Sequence, residues 1–133
     1  MDAATRQSVW QRAGGRCEYC RISQEQEPGQ AFHIEHITAL QHRGGDELEN
    51  LALACCRCNA YKGPNLTSRD PDTDRVELLF NPRAQAWEEH FRMDGHLILG
   101  ITPVGRTTAW LLQMNAPGRV AIRAFWAQIG DDL

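Results

Sequence analysis

No stretch of this 133-residue chain approaches the ~20 consecutive apolar residues that span a bilayer. The opening MDAATRQSVW has neither the basic segment nor the apolar run of a secretion signal, so a cytoplasmic setting with reduced thiols is expected. There is no basic excess either. Residues 1–63 carry seven basic and eight acidic side chains, residues 64–133 seven and nine, and the net charge is −3. Proteins that grip nucleic acid passively neutralise phosphates with such an excess, so its absence counts against a tight binding module. It counts less against an enzyme, where a bound metal supplies local positive charge. Repeats, low-complexity tracts and linkers are also missing, and no separate target-reading segment stands out. One domain over 1–133 is the expectation, small enough to gain from a metal staple.

What the chain does have is two nested Cys-x-x-Cys pairs, Cys17/Cys20 and Cys55/Cys58. In a reducing compartment four thiolates at this spacing suit a tetrahedral structural Zn2+ better than disulfides or four buried small hydrophobes. Cys56 would leave a single residue between ligands, so it is read as a core or free thiol. The 34 residues between the pairs exceed a common zinc-ribbon spacing, and an inserted ββ hairpin explains the length. FHIEHI (32–37) supplies the first strand and NLALAC (50–55) the second. Strand alternation puts His33 and Glu35 on one face and Ile34 and His36 on the other.

Elsewhere the pattern predicts a helix over 4–13 ended by Gly14-Gly15, and one to two helical turns in CRCNAYKG. VELLF reads as a strand, and Asn81-Pro82 as the start of a helix through PRAQAWEEHF. HLILGI and TTAWLLQM are expected to pair as a hairpin around TPVGR. A last helix begins at 115–118 and runs through RVAIRAFWAQI, with Val120, Ala124 and Ala127 facing the core. The fold class expected is α+β. Trp87, Phe91 and Trp126 are read as core, His42 as a solvated histidine of a glycine-rich loop rather than one that approaches substrate, and His90 and His96 belong to no motif.

In these positions the chain resembles the HNH endonuclease family, built on the ββα-metal (His-Me) finger. Glu35-His36 falls on the first strand, Asn50 before the second, and Asn59 on the helix, at steps of 14 and 9 residues. Cys55 to Gly63 also matches the C-x-x-C-N-x-x-K-G ending of the zinc-knuckle subset. This core likeness covers 16–63. GPNLTSRDP, LFNPRAQAWEEHF and GITPVGRTT look, more loosely, like a recurring bacterial subfamily with a short C-terminal extension over 64–133.

The resemblance implies a divalent-metal-dependent endonuclease acting on DNA and leaving 5′-phosphate and 3′-hydroxyl ends. His36 would be the general base, suited by a pKa near operating pH. Glu35 and Asn59 would hold Mg2+ or Mn2+ through hard oxygens. Asn50 would bond across the loop and fix His36. The family usually has Asp where this chain has Glu35, which raises interest in His33. That residue stays open between a further metal ligand, an orienting donor and a surface histidine. Asn59 could instead simply cap the helix, but the metal-ligand role is the favoured reading. Lys62 and Arg57 stand as candidate phosphate contacts or as ordinary surface charges. The rival function is a zinc-knuckle module that binds nucleic acid or protein without cutting; the His-Glu-His strand and Asn59 favour the enzyme. Weak sequence preference is expected, since little chain is left over for base readout.

Overall fold

The frame that carries the motif is two short strands and a helix. In a computed structural model, which describes residues 1–130, β1 (His33–His36) and β2 (Leu51–Ala54) pair antiparallel. The register sets Glu35 opposite Ala52 and His36 opposite Leu51. The helix α2 (Cys56–Lys62) follows β2 after one residue. Every residue of β2 is buried, as its LALA sequence requires. The outer edge of β2 is closed by the first knuckle. Glu18 N–H donates to the Leu53 carbonyl at 2.8 Å, and Leu53 N–H donates to the Glu18 carboxylate at 2.8 Å. An edge that would otherwise expose unpaired backbone is thereby satisfied.

Ahead of the frame lies α1 (Ala3–Ala13), one residue longer than expected at its start. Asp2 caps it by accepting from Thr5 N–H at 2.8 Å, and Gly14 ends it at φ 64°. Its last turn sends Arg12 across to the carbonyls of Leu48 and Leu51, at 2.9 and 2.7 Å. Those two bonds brace the 3-10 turn Leu48–Asn50 that leads into β2.

The C-terminal half departs from expectation. Two more antiparallel pairs form, β3 (Thr67–Arg69) with β4 (Val76–Leu78) and β5 (Phe91–Asp94) with β6 (Leu97–Gly100). The helix expected over PRAQAWEEHF shrinks to α3 (Trp87–His90). Asn81 does cap, accepting from Arg83 N–H at 2.8 Å, but only a turn follows. Phe91 leaves the helix to pair with Gly100 and bury its ring edge-on to Phe80. The hairpin turn is Gly95-His96, with Gly95 at φ 59°.

TTAWLLQM is not a strand. Thr102 caps α4 (Pro103–Leu111), accepting from Gly105 N–H at 3.0 Å, and Pro103 sits at the first helical position. The helix then packs backbone to backbone on β6. A Cβ at Gly105 would lie 1.9 Å from the His90 carbonyl oxygen, and one at Gly100 only 2.2 Å from Arg106 N. The last helix, α5 (Pro117–Gln128), buries Arg119 and Arg123, whereas Val120, Ala124 and Ala127 are only half-buried. A single apolar cluster runs from Val9 to Met114 and includes the four paired cysteines. Among the described residues no helix is long and apolar enough to cross a membrane.

Candidate metal centre and active-site cleft

Cys17 and Cys20 lie on a tight turn closed by Cys17 N–H to Ile22 O (2.8 Å), with Arg21 left-handed at φ 69°. Cys55 is the N-cap of α2 and Cys58 lies in its first turn. The fold brings the four sulfurs within 4.8 Å of one another, all buried. Cys20 and Cys55 Sγ are 3.7 Å apart, close to the ~3.8 Å edge of a tetrahedron with 2.3 Å Zn–S bonds. Cys20 and Cys58 N–H point at the Cys17 and Cys55 sulfurs, at 3.5 and 3.4 Å. Burial pushes the Cys17 and Cys58 thiols well up, while bonding to neighbouring thiols, Cys17 first, draws Cys20 and Cys55 down. Binding of a divalent cation at such a group would release the thiol protons. The residues fit a structural zinc. Cys56 stands outside the cluster, half-exposed.

On the other side of the frame, Glu35, His36 and Asn59 line one open cleft of about 360 Å³ with Ile34, Gly63 and Pro64. His36 Nε2 lies 2.7 Å from Asp46 Oδ1, which holds the Asp46 carboxyl below its ordinary range. Asn59 presents its side-chain amide with no hydrogen-bond partner among the described residues. Glu35 is 6% exposed. Tyr19 O–H donates to its Oε1, and the Lys62 ammonium sits 3.0 Å from Oε2. Burial raises its pKa, against the pull of Lys62 and of the Tyr19 bond. Each carboxylate oxygen accepts two hydrogen bonds and here takes one, so a lone pair remains on each. Glu35 and Asn59 thus bring side-chain oxygens, donors of the hard kind that Mg2+ or Mn2+ prefers, to the lining of one cleft.

Asn50 spans the loop between β1 and β2. Its Oδ1 accepts from Thr38 N–H at 2.8 Å, and its Nδ2 donates to the carbonyls of Thr38 and Gly45, both at 2.9 Å. Gly44 is obligatory there, since a Cβ would lie 1.7 Å from the Thr38 oxygen and 2.7 Å from Asn50 Nδ2.

Three expected residues sit elsewhere. Lys62, a candidate phosphate contact, is 2% exposed and points inward to Glu35 and to the Ile37 carbonyl at 3.0 Å. It lies four residues after Cys58, on the same buried helical face. That spacing was the available signal. Arg57 is spent on an ion pair with Glu27. His33 is exposed and lies outside the cleft lining, and the paired cysteines are the one His/Cys/Asp/Glu cluster able to hold a metal among the described residues. Asp46 and Tyr19 were not foreseen. Asp46 follows the double glycine of the loop; Tyr19 sits between two ligands, where a buried aromatic with a polar tip signals a partner.

Residues 17–65 match the HNH endonuclease family. The HNH segment thus takes in both knuckles, β1, β2 and α2, and stops before the C-terminal hairpins. No curated protein and no solved structure gives a significant match.

Proposed function

We propose that this protein is a divalent-metal-dependent endonuclease that hydrolyses DNA phosphodiester bonds. The observation that carries the reading is the convergence of His36, Asn59 and Glu35 on one open cleft of an HNH segment. Asp46, as a carboxylate, accepts from His36 Nε2–H, which fixes the tautomer and leaves Nδ1 as the basic nitrogen. His36 takes the proton of the attacking water at that atom. Glu35 and Asn59 hold the cation, and Asn50 keeps the His36 loop in place by its three bonds. A bound Mg2+ or Mn2+ would supply positive charge to stabilise the negative charge that develops during hydrolysis. Arg57 and Lys62 are engaged with acids, so phosphate binding falls to other residues. Residues 1–133 act as one domain in this reading.

The test is supercoiled-plasmid nicking with Mg2+, Mn2+ or EDTA, comparing wild type with a His36→Ala variant that retains zinc. Metal-dependent nicking lost in the variant is expected. Zinc-loaded wild type that never cuts would move the assignment to a binding module, and equal cutting by both proteins would remove His36 as base.

A further inference from the structure

The C-terminal extension reaches into the metal centre. Arg119, in the first turn of α5, is 5% exposed, and its Nη2 lies 3.0 Å from Cys58 Sγ and 3.7 Å from Cys55 Sγ. Its Nη1 donates to the carbonyls of Leu112 and Gln113, at 2.6 and 3.3 Å, which aims the fork at the sulfurs. No carboxylate pairs with it among the described residues. A divalent zinc with four thiolates keeps two negative charges, and burying them uncompensated is costly. Two backbone N–H groups meet part of that charge. A guanidinium, planar and always charged, meets more of it through charge-assisted N–H···S bonds.

We propose that Arg119 is the charge-balancing partner of a zinc tetrathiolate at Cys17, Cys20, Cys55 and Cys58, so that metal retention and docking of α5 are coupled. This rests on the zinc reading of the four cysteines. The matched family segment ends at residue 65, so the extension contributes a component of the site from outside it. Arg123 provides the internal reference. It is equally buried on the same helix, but it bonds only oxygens: His96 O at 2.7 Å, Met114 O at 2.9 Å and Asn115 Oδ1 at 3.0 Å.

The experiment compares wild type, Arg119→Gln, Arg119→Lys and Arg123→Gln by zinc content, by chelator competition, and by the thiolate-to-metal charge-transfer bands of the Co2+ forms. Removing a partner that orients and polarises a ligand commonly costs ~10–100-fold in metal affinity, and a loss of that size is expected in Arg119→Gln. Its Co2+ bands should move to lower energy, because the sulfur lone pairs lose a stabilising cation. Arg119→Lys should fall between, and it carries the test if the glutamine variant does not fold. Arg123→Gln should lower stability while leaving band positions at the wild-type values. Wild type without bound zinc would overturn the zinc reading and this proposal together. Zinc-replete wild type beside Arg119 variants of unchanged affinity and spectrum would overturn the role of Arg119 alone, as would an Arg123→Gln spectrum shifted equally.

Discussion

Replacing Lys62 by Met should be among the most damaging single changes outside the cysteines, and the structure sets its size. Lys62 is 2% exposed and Glu35 6%, so water does not screen the pair. Methionine keeps the length of the side chain and removes only the ammonium. The Glu35 carboxylate would then have no ion-pair partner among the described residues, with only Tyr19 O–H donating to it. The Ile37 carbonyl would also lose its 3.0 Å donor. Breaking a buried pair from one side costs about 3–5 kcal/mol, chiefly because the other charge stays behind. Glu35 already titrates above its ordinary 4.5 through burial, and losing Lys62 raises it further. A carboxyl raised in the fold contributes stability that is full below its unfolded value and is lost as pH rises through the folded one. The penalty of Lys62→Met should therefore grow as pH rises above the ordinary carboxyl range. Urea unfolding with zinc in excess measures it. Glu35→Gln in the same chain should recover much of the loss, giving a coupling of ~2 kcal/mol or more in the double-mutant cycle. A pH-independent penalty below about 1 kcal/mol, or simple additivity, would refute the argument.

Gly44→Ala should cost about 2–3 kcal/mol, because the new Cβ displaces Thr38 and Asn50 and forfeits the bonds that Asn50 makes; thermal unfolding reads it. Asn59→Ala should leave stability within about 0.5 kcal/mol, since its side chain bonds nothing among the described residues. The same variant should need at least ~10-fold more Mg2+ for half-maximal cleavage, and an unchanged metal titration would remove Asn59 from the site. Cut-site mapping on a long duplex should show dispersed positions, whereas one reproducible recognition sequence from the isolated protein would sink the expectation of weak preference.

The N-terminal half was legible because its signals are local. Cysteine spacing, strand alternation and a glycine stop each fix structure within a few residues, and β1, β2 and α2 fall where the pattern put them. The extension was harder because equal local signals met different neighbours. Asn81-Pro82 and Thr102-Pro103 are the same kind of helix start, yet only the second opens a long helix. Phe91 had to break the first helix to pair with Gly100, and no window of sequence around Asn81 contains Gly100. The buried cations were hidden for a related reason. Arg119, Arg123 and Lys62 look like surface charges until the chain folds their partners around them, some of them dozens of residues away.

Glu35 receives one bond from each knuckle: from Tyr19, between the first two ligands, and from Lys62, one turn beyond the last. The carboxylate is thus held from both sides by segments whose separation is set by the cysteine cluster. An unbiased screen for cleavage-dead variants should therefore return positions 19 and 62 alongside the four cysteines. Anyone transplanting this cleft into another scaffold would have to carry both knuckles with it, because strand and helix alone would leave the acid without its two supports.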